Sequence, residues 1–201
     1  MPERSEASNH GTPRERVIWD PLLRVFHWLL AGFVIAAWLL GKYGPNVMTW
    51  HFWCGYVVTG LLLFRLVWGF VGPPEARFSH FLRRPSAIAG YCRHLFLRQP
   101  SHWPGHNPLG ALSVIAMLAA LAAQVSTGLI SDPEDYINVG PLASYVGSEM
   151  ATNAVDWHEL GANIVLILVL LHVAVILFYR FWKREDLVTP MITGRKEVRE
   201  E

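Results

Sequence analysis

The stretch Asp156 to Trp182, DWHELGANIVLILVLLHVAVILFYRFW, constrains the fold more than any other: it is long and apolar enough to cross a membrane as one helix, yet carries His158 and His172. A helix advances ~100° and ~1.5 Å per residue, so fourteen residues return His172 to within about 40° of His158, roughly 21 Å along the axis. One face therefore presents two imidazoles near opposite surfaces of a hydrocarbon layer about 30 Å thick. Ionisable groups at such depths are costly and tend to mark function, although a single histidine can simply bond to a neighbouring helix. The question is whether other helices bring partners to the same two depths.

Composition narrows the classes. With 52% hydrophobic residues and nine Trp in 201, the chain is too apolar for a soluble domain and reads as an integral membrane protein. A net charge of +1, with no basic patch interleaved with aromatics, gives no sign of nucleic-acid binding. The two cysteines, Cys54 and Cys92, supply neither a CxxCH attachment site nor the thiolate set of an iron–sulfur cluster, so a metal cofactor would rest on histidine. The polar start of the chain shows no apolar segment with a cleavage site, and no removable signal peptide is expected.

In chain order, residues 1–16 are expected to be a disordered cytoplasmic tail, residues 17–182 a four-span domain, and residues 183–201 a fraying cytoplasmic tail. The spans are expected at about 22–40, 51–71, 109–130 and 157–182, giving an all-α four-helix bundle. Residues 73–106 mix Arg77, Arg83, Arg84, Arg93 and Arg98 with Phe78, Phe81, Ile88, Tyr91 and Phe96, the pattern of an amphipathic helix lying at an anionic interface. Lys and Arg cluster before the first span, between spans two and three and after span four, while residues 131–154 have none. The positive-inside rule then puts both termini in the cytoplasm and residues 41–50 and 131–155 outside, as in a bacterial inner membrane.

Topology converts positions into depths. His51, which opens span two, and His158, which opens span four, share the outer level; His27 in span one and His172 share the cytoplasmic level. Two imidazoles per level, from different helices, are what axial ligation of a porphyrin iron needs, so two stacked b haems are the reading. Arg65, fourteen residues after His51, projects from the same face at the inner level and could neutralise haem propionates, the alternative being a snorkelling side chain. Arg24, one turn before His27, is a surface cation or a second propionate partner. His106 and Asn107, at the cytoplasmic mouth of span three, could bond a propionate or a quinone, or simply cap the helix. Gly55, Gly128 and Gly161 leave gaps of the kind a flat macrocycle needs, a weak signal in membrane helices. No catalytic triad and no phosphate-binding loop is present.

Together, WDPLLRVFHW, HFWCGY, RLVWGF, GHNPLGALSV and WHELGAN followed by His172 resemble the bacterial cytochrome b561 and Ni-hydrogenase cytochrome b family from Val17 to about Trp182. The resemblance implies a four-helix bundle whose His27, His51, His158 and His172 hold two b haems. It also implies electron exchange between membrane quinone and a redox partner such as a periplasmic hydrogenase, another oxidoreductase or a cytochrome c. Rival readings are a partner-independent quinone-linked superoxide oxidase and, in a different class, a haem-free transporter using the histidines as a polar relay. A homodimer is compatible with the sequence.

Overall fold

The computed structural model describes residues 14–81, 84–98, 103, 105 and 107–198. Four long helices dominate: α1 (Pro21–Tyr43), α2 (Thr49–Val71), α5 (Pro108–Ile130) and α6 (Ser148–Phe178), the last continued by a π-helical turn at Tyr179–Lys183. Their starts follow from local chemistry. Asp20 caps α1, its carboxylate accepting from Leu23 N at 3.0 Å, and Pro21 follows where the missing N–H costs nothing. Asn107 does the same for α5, accepting from Gly110 N at 2.7 Å ahead of Pro108. Gly44 and Gly72 close α1 and α2 in extended conformation, folded so tightly under the last turn that a side chain would strike a backbone carbonyl.

A 23-residue helix is about 34 Å long, enough for a ~30 Å hydrocarbon layer. Leu29, Ile35, Leu63, Val67, Ile167 and Leu170 point outwards, an apolar surface that water would not tolerate and lipid does. The molecule is a multi-pass membrane protein with four candidate spans. Helices α1 and α2 pack as one hairpin, α5 and α6 as another, and α2 touches α5.

Span four exceeds its expected bounds. Helix α6 begins at Ser148 rather than 157, because Gly147 ends the preceding extended chain and Glu149 complements the first turn's dipole. The connection ahead of it is held down: Gly140 N donates to Ser131 O, Leu142 N to Leu129 O, and Asp132 N to Ala151 O. Asn138 bridges to the α1–α2 connection, accepting from Met48 N at 3.0 Å and donating to Asn46 O at 2.8 Å. This is the loop end of the bundle.

At the other end, where the chain termini meet, the structure departs from expectation twice. Residues 73–106 do not form one amphipathic helix: a 3-10 turn (Pro74–Ala76), α3 (Phe78–Phe81) and α4 (Pro85–Arg93) follow each other, broken where Pro73, Pro74 and Pro85 supply no N–H. Nor do residues 17 and 182 mark structural breaks. Strand β1 (Arg14–Val17) pairs antiparallel with β2 (Arg195–Val198), and α7 (Val188–Thr193) lies between α6 and β2. Ile18 N and Trp19 N both donate to Gly194 O, at 2.8 and 3.2 Å; Gly194 turns at φ 83°, a left-handed conformation suited to glycine. Ile18, Trp19, Leu23, Phe26 and Ala76 form a buried cluster beneath this clasp. Glu185, 6% exposed, pairs with Lys196 at 2.7 Å, and Lys196 also donates to Trp103 O. These contacts bury backbone and charge that a fraying tail would leave in water.

Candidate cofactor site

Four histidines meet as two pairs. His51, in the first turn of α2, faces His158 of α6 with ring centroids 5.9 Å apart; His27 of α1 faces His172 of α6 at 6.4 Å. Helix α6 thus serves both levels, and it approaches α1 and α2 across these rings rather than by close backbone packing. An imidazole nitrogen binds a metal at about 2 Å, so two rings sharing one iron have centroids roughly 6 Å apart. Both pairs stand at that spacing.

Hydrogen bonds fix the loop-end rings. His51 Nδ1 lies 2.9 Å from Ala37 O and His158 Nδ1 lies 2.9 Å from Gln124 O. A carbonyl oxygen only accepts, so in each ring Nδ1 carries the proton and Nε2 keeps its lone pair, the state a metal-binding imidazole requires. Thr127 Oγ1 stands 3.3 Å from His158 Nδ1, and the Gln124 amide, anchored to His158 O at 2.9 Å, reaches His158 Nε2 at 3.3 Å. Glycine makes room: a Cβ on Gly128 would lie 2.7 Å from His158 Cε1, and one on Gly41 would lie 3.2 Å from His51 Cε1 and Nδ1. Around Gly32, Gly55 and Gly60 there is open space. At the termini-end pair, His27 Nδ1 is buried with no hydrogen-bond partner, and His172 makes none among the described residues.

The remaining expected residues spread around the termini end. Arg65, 3% exposed, donates to Ala76 O at 3.0 Å and lies 4.6 Å from the Phe78 ring centroid. It borders a groove of about 450 Å³ between α2 and α5 that no histidine lines. Arg24 donates to Ile192 O, which ties α1 to α7, while its buried Nε has no partner among the described residues. Asn107 acts as the α5 cap, and its amide donates to Tyr179 OH at 2.9 Å. Tyr179, 1% exposed, also bonds Tyr91 OH. His106 lies outside the described residues. Sequence reasoning passed over Ala37, Gly41, Gln124 and Thr127 as neighbours of the rings. Gln124, Thr127 and Gly128 repeat at helical spacing on one face of an otherwise apolar span, a usable signal; a backbone carbonyl leaves none.

A profile of the prokaryotic cytochrome b561 family matches residues 18–194. The chain belongs to the prokaryotic cytochrome b561 family. It is a membrane b-type cytochrome of electron transport. Among curated proteins it is 27% identical to the probable Ni/Fe-hydrogenase 1 B-type cytochrome subunit of Escherichia coli (strain K12), over 88% of each chain. It is 24% identical to the probable Ni/Fe-hydrogenase B-type cytochrome subunit of Rhizobium leguminosarum bv. viciae, over 89% of this chain and 87% of that one. The corresponding Azotobacter vinelandii subunit is 26% identical over 88% and 86%. No solved structure matches at comparable stringency. The b haem of a b561-type cytochrome suits the paired rings, the Nδ1-protonated tautomers of His51 and His158 and the glycine clearances.

Proposed function

We propose that the chain moves electrons across the bacterial inner membrane between a periplasmic redox partner and the quinone pool, using two b haems. His51 and His158 hold one at the loop end, and His27 and His172 hold the other at the termini end. The observation that carries this reading is the pair of centroid separations, 5.9 and 6.4 Å, on two levels of one helix face. A bis-imidazole haem supplies a one-electron iron couple with both axial positions filled, which favours electron transfer over oxygen chemistry. The protein holds the rings, fixes their tautomers and surrounds them with apolar helices that exclude water. Arg24 and Arg65, two of the cations at the termini end, are proposed to neutralise propionates, with Arg24 closer in sequence to a histidine. His106 and Asn107 are proposed to border the quinone.

Charge distribution supports cytoplasmic termini, and the relatives' names support a hydrogenase as partner at the loop end. Reduced-minus-oxidised spectra with a pyridine haemochrome assay on the purified protein test the scheme. About two b haems per folded chain are expected. One haem, or none, overturns the scheme.

A further inference from the structure

A histidine that binds a metal is ordinarily oriented by a hydrogen bond on its other ring nitrogen. His51 and His158 have that bond, each from Nδ1 to a helix carbonyl at 2.9 Å. His27 does not: its Nδ1 is buried with no partner among the described residues. Packing must orient this ring instead, and Trp28 stands edge-on to it, with centroids 5.1 Å apart and planes at 87°.

Trp28 is itself held from the far end of the chain. The last carbonyls of any helix lack partners within it, and in the six-residue α7 they are met from outside. Pro190 O accepts from Gly194 N at 2.8 Å, Met191 O from Trp28 Nε1 at 3.4 Å, and Ile192 O from the Arg24 guanidinium. Arg24 and Trp28 are four residues apart and so share a face of α1, with His27 one turn after the first and next to the second. The exchange is mutual: α7 gains donors for its terminal carbonyls, and the two side chains flanking His27 lose rotational freedom. Gly194 permits this. It turns at φ 83°, and a Cβ on it would lie 2.9 Å from Trp19 O and 3.3 Å from Arg24 Cζ.

We infer that the segment Val188–Gly194 is a positioning element for the termini-end haem: by fixing Trp28 and Arg24 it sets the ring plane of His27, replacing the carbonyl bonds that orient the loop-end rings. The inference rests on the two-haem reading. Trp28 and the α7 carbonyls act through the His27 ring and touch no reacting atom. Arg24 spends one donor on Ile192 O, and its buried Nε, without a partner among the described residues, is left for the propionate proposed for it above.

The test is electron paramagnetic resonance of the ferric haems in the full-length protein, because the low-spin signal of a bis-imidazole iron depends on the angle between its two ring planes. His51→Leu, which keeps only the termini-end rings, identifies the termini-end signal. Gly194→Val drives a side chain against Trp19 O and the Arg24 guanidinium. It should shift the low-field g value of the termini-end signal, or lose that haem alone, and leave the loop-end signal where it is. Trp28→Phe, which keeps a ring but removes the donor to Met191 O, should shift the same signal by less. A Gly194→Val protein that melts earlier but keeps both signals unchanged shows a clasp that only stabilises, and overturns the inference; so does a shift of both signals together. If Gly194→Val does not accumulate, Trp28→Phe decides by the same criterion. A folded unmodified protein without a termini-end haem would instead defeat the two-haem reading, and this inference with it.

Discussion

The loop end and the termini end each seat two imidazoles face to face, but they hold them differently. At the loop end the rings are bonded to carbonyls of adjacent helices, within clearances left by Gly41 and Gly128, and Asn138 ties the two connections together. At the termini end no carbonyl among the described residues holds His27, and order comes from segments far apart in sequence: β1 on β2, Arg24 and Trp28 on the carbonyls of α7, Lys196 on Glu185. One level is set by local backbone geometry, the other by a long-range clasp. Disturbances should therefore stay on their own level.

The largest test of that independence is ligand removal. On the proposed two-haem scheme, His158→Leu should cost the loop-end haem and His172→Leu the termini-end haem, each variant keeping about half of the haem, read by haemochrome per folded chain. A folded single variant that loses both would break the comparison. Next, Gly128→Val puts a branched side chain where even a Cβ would lie 2.7 Å from His158 Cε1. Loss of ring orientation should weaken haem retention at that level by about 10–100-fold, measured by haem loss to an acceptor, with the termini-end spectrum unaltered.

A third test addresses the clasp. Removing one member of a buried ion pair costs about 3–5 kcal/mol, because the other charge is stranded. Glu185→Ala should therefore melt several degrees earlier in detergent. Arg180→Ala, which removes the half-exposed Arg180–Asp186 pair, should change stability by under about 1 kcal/mol. Equal shifts would deny the clasp its role. The smallest effect is at the loop end. The backbone N–H groups of Asn138 and Ile137 hold the Asp135 carboxylate below its usual range. That stabilisation is fully present above the unfolded value of about 3.9 and is lost as pH falls through the lower folded value. Protection of the Ile137 and Asn138 amides, taken relative to the intrinsic exchange rate at each pH, should fall across that acid window, while that of the clasp amides of Ile18 and Trp19 does not follow it.

The four spans were legible because length and hydropathy are properties of the sequence, and the fourteen-residue histidine spacing because helix geometry is fixed. The pairing of His51 with His158 and of His27 with His172 followed from hairpin topology, and the structure brings these rings together. The clasp was not legible. Its strands are four residues long, mixed in charge, and brought together only by the finished bundle. The nine added residues of α6, Ser148–Asp156, read as loop because Glu149, Asn153 and Asp156 interrupt the apolar pattern there. The break-up of residues 73–106 was written in Pro73, Pro74 and Pro85, outvoted by alternating Arg and aromatic residues. Arg65 was placed by helical phase alone, which cannot show that its guanidinium reaches the carbonyl of Ala76 eleven residues on.

Strand β1 precedes all four spans and its partner β2 follows them, so their pairing must wait until the bundle's helices have been made. Residues 195–198 leave the ribosome after all four spans, so β1 waits through the synthesis of every span for β2. Helix α7, which binds the turns of α1 around His27, arrives equally late. The termini-end level is thus covered only after the four spans have been made, while the loop-end level needs nothing beyond the first turns of α6. The order of synthesis gives the two levels an order of completion, and the pair His27 and His172 stays open the longer.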